Sequence, residues 1–276
     1  MGGWAPFLIA ALVTGSVLDA RAQGTTPVSA ACRHHVVGAG QVGAIIDGRS
    51  FDLDDGRSVR LAAVEIPPFH AEFDARATAG DAARRALQSI LTGQRVELRH
   101  REPLTDRYGR AVAHVYVVGD GPERNVAQDM LAGGYARVAA HVGDPSCAAE
   151  LLALERSARR AKLGLWGEPY YGILGAQSGP ELLTQRGRFT LVEGKVLSVR
   201  EIGGTIYMNF GRRWSEALTV TISKRNERTF TAAGLPPKTL ENRHVRVRGW
   251  VEERNGPRIE ASRPEQIEKI EIAERN

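Results

Sequence analysis

Three short stretches of alternating apolar residues, Val36 to Ile46, Ser50 to Leu53 and Ser58 to Val64, are separated only by Asp47-Gly48 and by Asp54-Asp55-Gly56. Asp-Gly pairs tolerate the positive-φ geometry of tight hairpins, so this spacing predicts a three-stranded meander. Gly38, Gly40 and Gly43 punctuate the first stretch and predict a long, bent strand. Pro67-Pro68 stops the pattern. Glu72 to Leu91 then reads as a helix, with Phe73, Ala77, Ala83, Leu87 and Leu91 mostly on one face and Gly93 at its end. Arg95 to His100 and Ala111 to Val118 predict a strand pair around the turn TDRYGR. Asn125 to Ala132 predicts a short helix ended by Gly133-Gly134. Ala148 to Leu163 predicts a third, with Leu151, Leu154, Ala158 and Ala161 on one face. The class is β-rich α+β.

At 276 residues the chain is long enough for two modest domains, each with its own core. Gly172 to Gln185 loses helical periodicity and reads as part of a linker, which we place at residues 169–187 between a first domain at 33–168 and a second at 188–276. Phe189 to Val199, Thr205 to Phe210 and Leu218 to Ser223 predict three strands. Pro236 to Asn242 reads as a short helix, His244 to Glu252 and Arg258 to Ala261 as a hairpin around Asn255-Gly256, and Pro264 to Ala273 as helical. Three strands, a helical turn and two strands again match the first domain's order.

The composition, 42% apolar and 25% charged, excludes wholesale disorder. The charge is uneven. Residues 23–184 carry 18 Lys+Arg against 19 Asp+Glu, and residues 185–276 carry 18 against 12. A basic surplus confined to the last third fits contact with a polyanion there, or a solvated basic face. No metal-ligand cluster, nucleotide-binding loop or nucleophile triad stands in the sequence, which argues against other enzyme classes.

Residues 1–22 read as a secretory leader: Trp4 to Leu18 is apolar, and Ala20-Arg21-Ala22 supplies a small-x-small cleavage pattern. The leader lacks a basic n-region, and an uncleaved anchor is the alternative. The expected location is periplasmic or secreted, as a monomer without a further membrane span. Export of a chain with two cysteines points to a Cys32–Cys147 disulfide, worth up to roughly 4–5 kcal/mol for so long a loop; two free structural thiols are the alternative. Neither cysteine stands in a His or Asp pattern that suggests zinc.

Arg60, Arg110 and Glu65 fall at the ends or edges of predicted strands. Two guanidinium forks facing one carboxylate suit a phosphodiester, since the forks grip phosphate oxygens and the carboxylate can hold a metal. On residue types alone, surface charges on two hairpins are the better account of Arg60 and Arg110. The order and spacing of RLAAVEIPP, an Ala-rich helical segment, TDRYGR, MLAGGYARV and a helix ending AKLGLWG resemble the staphylococcal-nuclease (thermonuclease) family over Val36 to Gly167. The resemblance implies a five-stranded OB-fold barrel with three helices, and a smaller OB-like domain is the pattern-based reading for the rest. It also implies calcium, nucleic acid as the partner, and phosphate-binding arginines at Arg60 and Arg110, with Tyr108 also matching.

The match is partial where the chemistry sits. The position of one metal-binding aspartate is Arg49, the other is Glu65, and the backbone carbonyl of Ile66 still offers an oxygen. The general-base position is Pro68, with His70, Glu72 and Asp74 nearby as substitutes, and the family's later tyrosines fall near Ala140 and Val142. Arg49 either joins Arg60 and Arg110 in a metal-free anion cradle or pairs with Glu65 and replaces the ion.

In the second domain Tyr207, Phe210, Trp214 and Trp250 are interleaved with Arg212, Arg213, Arg246 and Arg248, the pairing of stacking platforms and cations that suits single strands. One of Tyr207 and Phe210 must face the core, and Arg246, Arg248 and Trp250 share one strand face, which is otherwise a plain solvated one. The expected function is an exported protein that binds nucleic acid or phosphate anions with weak or lost hydrolysis. The alternatives are an active metal-dependent endonuclease with a non-standard site and an envelope interaction scaffold.

Overall fold

The computed structural model describes residues 1–2, 32, 34–67, 75–101 and 104–270. The leader beyond Gly2, and Pro68 with His70, Glu72, Phe73 and Asp74, lie outside the described residues. In the first half β1 (His35–Ile45), β2 (Ser50–Leu53), β3 (Ser58–Leu61) and β4 (Val64–Glu65) are followed by α1 (Ala75–Leu91), β5 (Arg95–His100), β6 (Ala111–Val118), β7 (Arg124–Asn125), α2 (Val126–Ala132), β8 (Arg137–Val138) and α3 (Pro145–Arg160).

The bent first strand is what lets the sheet close. β1 pairs with β5 through His35 to Gln41 and with β2 through Val42 to Ile45. β2 pairs with β3, β3 runs parallel to β6, and β6 returns to β5, so five strands form a ring. Phe51, Val59, Leu61, Val96, Leu98 and Val115 fill it, closed by Leu87 and Leu91 of α1 and by Met130, Leu131 and Leu151 of α2 and α3. Each of these eleven side chains is at most 2% exposed, so they form one dry core.

The third predicted strand is broken. Ala63 turns to φ 64°, β3 ends at Leu61, and Val64–Glu65 pair instead with β8. That break swings Glu65 away from the barrel strand. Two of the sequence's glycine motifs meet: a Cβ on Gly134 would lie 2.3 Å from Leu163 O, and Leu165 N donates to Gly134 O. Cys32 is disulfide-bonded to Cys147 in the first turn of α3, and the Tyr116 hydroxyl donates to Cys32 O.

The second half contains β9 (Leu174–Gly175), α4 (Gly179–Thr184), β10 (Phe189–Lys195), β11 (Ser198–Ile202), β12 (Thr205–Asn209), β13 (Thr219–Ser223), α5 (Glu227–Ala232), β14 (His244–Glu253), β15 (Pro257–Glu260) and β16 (Ile267–Lys269). The β10–β11 path breaks at Val196-Leu197; its first part pairs with β14 and its second with β12. β12 pairs with β13, β13 runs parallel to β15, and β15 pairs with β14. This is the same succession of pairings as in the first ring. Ile206, Met208, Phe210, Val220, Ile222, Phe230, Val245, Val247 and Ile259 form its core.

Three expectations are corrected. The segment read as a linker is folded: β9 pairs with β10, α4 buries Leu182, and Tyr171 is buried. Its Gly and Pro residues start and end short elements instead of loosening the chain. Pro264 to Gln266 is a single 3-10 turn that leads into β16 on β14, and the helical reading to Ala273 runs past the last described residue, Ile270. Finally, Arg246 and Arg248 do not form a solvated face. The outer face of β14 packs on α3, where Arg248 donates to Glu155 at 2.7 and 3.0 Å and to Glu268 at 2.5 Å, and Arg246 reaches Glu193 at 3.0 Å. Arg248 and Glu155 are 1% and 0% exposed. Burial works to lower the Arg248 pKa, but Glu155 and Glu268 outweigh it and raise it, so the guanidinium stays charged inside the interface.

Candidate functional site

The Asp47-Gly48 turn presents Arg49. Arg49 N donates to Asp47 Oδ1 at 2.8 Å, which fixes the turn, and Gly48 lies so close to α1 that a Cβ there would meet Ala83 Cβ at 2.8 Å. Arg60 sits opposite Ser50 across β2 and β3. Arg110 is held by its own turn: Asp106 Oδ1 accepts from Tyr108 N and Arg110 N, and Asp106 Oδ2 accepts from Arg110 Nε at 2.8 Å. Arg110 Nη1 also donates to Ser50 Oγ at 3.1 Å, which carries the turn over the β2 edge.

The three arginines are therefore neighbours, and Glu65 stands between two of them. Arg49 Nη1 lies 2.6 Å from Glu65 Oε2, and Arg60 Nη2 lies 3.5 Å from Glu65 Oε1. Arg49 thus takes the pairing anticipated as an alternative to the cradle, without leaving the cluster. Burial lowers the pKa of Arg60 first, Arg49 second, and Arg110 adds to it, while Glu65 and Asp106 oppose. Its buried Nε has no hydrogen-bond partner among the described residues. Among the described residues Glu65 pairs with Arg49 and Arg60, Asp106 pairs with Arg110, and Asp47 stands beside Arg49. Tyr108 is 68% exposed, with the Arg107 and Arg110 guanidiniums over its ring at 4.8 and 5.2 Å. Among the described residues the oxygen donors at this place are the Glu65 carboxylate, already paired, the Asp47 carboxylate, which accepts from Arg49 N, and the Ile66 carbonyl.

Beside this cluster a cleft of about 640 Å³ opens between the two halves. Arg49, Glu65 and Ile66 line it from the first half, and Tyr170, Arg188, Phe189 and Trp250 from the second. Arg137 also lines it; its guanidinium, with pKa lowered by burial to about 10, donates to Phe189 O at 2.8 Å and Tyr171 O at 2.7 Å. Trp250 is 49% exposed and packs edge-on against Phe189, its partner in the β10–β14 register. Arg188 lies over the Tyr170 ring at 5.6 Å.

Arg212, Arg213 and Trp214 sit apart from this cleft, on the connection between β12 and β13. Trp214 stacks flat on Tyr207, and Arg213 pairs with Glu216 at 2.8 Å. Phe210 is the core member of its pair with Tyr207. Arg137, Glu155, Tyr170, Arg188 and Phe189 went unnoticed in the sequence. Glu155 carried a signal, since it lies one turn from Leu151 on the apolar side of α3. The cysteines also have histidine neighbours in space: ligand atoms of His34, His114 and Cys147 lie within 4.8 Å of one another, brought together from three distant segments.

The chain is 32% identical over 138 residues to the micrococcal nuclease of Shigella flexneri, a span of 47% of this chain and 74% of that protein. It belongs to the staphylococcal nuclease family. The family's own model, Staphylococcal nuclease homologue, matches residues 58–168. A further family relative is the Escherichia coli protein ParB, 34% identical over 140 residues, covering 48% of this chain and 73% of that one. Membership gives the first ring its OB-fold description. The family match spans Arg60, Glu65, Tyr108 and Arg110, whereas Arg49 precedes it and Trp250 lies far beyond it.

Proposed function

We propose that this chain is an exported nucleic-acid-binding member of the staphylococcal nuclease family in which phosphodiester hydrolysis is weak or lost. The observation that carries the reading is the 2.6 Å pair between Arg49 and Glu65. A calcium ion takes roughly 6–8 oxygen ligands at roughly 2.3–2.6 Å. Among the described residues the paired Glu65 carboxylate, the Asp47 carboxylate and the Ile66 carbonyl are on offer, fewer than that shell needs, and the Arg49 guanidinium stands against Glu65 and repels a cation. The described residues do not fit the ion, and Pro68, the residue at the general-base position of the sequence, accepts no proton. Loss of a general base alone costs on the order of 10²–10⁴ in rate.

What remains suits binding. Arg49 and Arg60 share one carboxylate, so a phosphate that takes one of these guanidiniums leaves Glu65 paired with the other. The second ring repeats the strand pairings of the first, which supports an OB-like reading for it, a fold well suited to single strands. The disulfide, and the leader read from the sequence, support export to an oxidising compartment. Among the described residues no helix is long and apolar enough to cross a membrane.

The test is binding of a labelled oligonucleotide in EDTA across a salt series. The reading predicts affinity that falls steeply with salt and falls further in Arg60→Ala/Arg110→Ala. Affinity that ignores both salt and the double substitution would overturn it.

A further inference from the structure

The cleft between the halves shares Arg49 with the arginine cluster, and its opposite wall is aromatic. We propose that this cleft is a base-binding subsite, which restricts the protein to single-stranded nucleic acid; the proposal rests on the phosphate-binding reading above.

The juxtaposition is specific. Arg49 and Glu65 belong to both places, so a phosphate drawn to the guanidiniums stands at the mouth of the cleft. Across from them Trp250 leaves half its surface uncovered, while Phe189 supports it edge-on from the adjacent strand. An exposed indole held by a neighbouring ring is a stacking platform at small entropic cost. Arg188 over Tyr170 adds a cation–aromatic pair to the same wall. About 640 Å³ lies within the roughly 300–1,000 Å³ typical of small-ligand sites, large enough for one base and its sugar.

The two walls hold their spacing because the halves are locked. Arg137 bonds the carbonyls of Tyr171 and Phe189, and the buried Arg248–Glu155 pair fastens β14, the strand that carries Trp250, to α3. The cleft is thus built before any ligand arrives. A base inside a duplex is stacked and paired, and it cannot enter without being extruded, at a cost of a few kcal/mol. Single strands present their bases freely. The C-terminal half, outside the residues matched to the family, therefore supplies selectivity, and the family barrel supplies the phosphate grip.

The experiment compares single-stranded DNA, single-stranded RNA and a duplex of the same sequence by fluorescence anisotropy, with wild type, Trp250→Ala, Trp250→Phe and Arg60→Ala. Thermal melts of each variant check folding. The expected result is single-strand binding about 10-fold weaker in Trp250→Ala and largely kept in Trp250→Phe. Duplex binding is weak and indifferent to Trp250, and Arg60→Ala weakens every ligand. Quenching of tryptophan emission by single strands should vanish with Trp250→Ala. If Trp250→Ala binds single strands as well as wild type, or if the duplex binds equally well while Arg60 still matters, the base subsite is wrong and the phosphate site stands. If wild type binds none of the three, both readings fall.

Discussion

Arg49 Nη1 lies 2.6 Å from Glu65 Oε2, and this pair joins the first hairpin of the barrel to the short strand β4. Two features of the backbone make it possible. The Asp47-Gly48 turn fixes Arg49 through the Asp47 side chain, and the left-handed Ala63 redirects the chain so that Glu65 leaves β3. The pair sets much of the electrostatics around Arg60, which has Arg49 and Arg110 acting on it and shares Glu65 with Arg49.

Replacing the cation reverses that balance. In Arg49→Asp the guanidinium becomes a carboxylate beside Glu65 and the Ile66 carbonyl. Isothermal titration should show no saturable calcium binding by the wild type and a measurable site in the variant. Calcium binding of equal strength in both proteins would contradict the assignment of Arg49.

The interface between the halves depends on a charge that cannot be left alone. Arg248→Ala leaves the fully buried Glu155 with only Arg159 at 3.0 Å and the Val138 N–H at 2.6 Å, and should cost up to about 3–5 kcal/mol in denaturant unfolding. The pair Arg248→Met/Glu155→Leu removes both charges and should recover much of that loss. A single variant as stable as wild type would show that the network is dispensable.

The disulfide ties the segment before β1 to the start of α3 across 115 residues. Cys32→Ser/Cys147→Ser should lose about 2–5 kcal/mol of stability, and wild type under reductant should lose a comparable amount. An unchanged melting temperature in both cases would argue against it.

Acid should loosen the same end of the barrel. Burial, with His34 and His100 adding, lowers the His114 pKa from 6.5 to about 3, while the Val142 backbone and Asp144 act the other way. The unfolded chain therefore binds the extra proton across that window and the folded one does not. His114 contributes stability that is complete above about pH 6.5 and is lost as pH falls toward 3, by up to about 1.4 kcal/mol per pH unit. Urea midpoints at about pH 7 and about pH 5 should differ more in wild type than in His114→Asn. Equal differences would remove His114 from the acid response.

Much of the first barrel was legible because its turns are spelled in Asp, Gly and Pro and its faces alternate. Arg60, Glu65 and Arg110 were legible because they sit in motifs with fixed spacing. The alternation around Arg246 and Arg248 was also read with the right faces, but a strand pattern distinguishes inside from outside only for its own sheet. It cannot show that α3 lies on the outer face, and so two buried, paired arginines looked like a ligand surface. The folded segment at 169–187 was missed for a related reason: its elements are two to six residues long and gain their order from contacts with β10 and the interface. The cleft and the His34–His114–Cys147 group depend on residues far apart in the chain, and no local pattern carries them.

The central claim is that the site grips phosphate and does not cut it. The direct measurement is cleavage of single-stranded DNA and RNA in calcium, magnesium or EDTA by the protein from Gln23 to Asn276, beside Arg60→Ala/Arg110→Ala. The account predicts no metal-dependent cleavage by either protein. Rapid, EDTA-sensitive cleavage by the wild type that disappears in the double variant would contradict it.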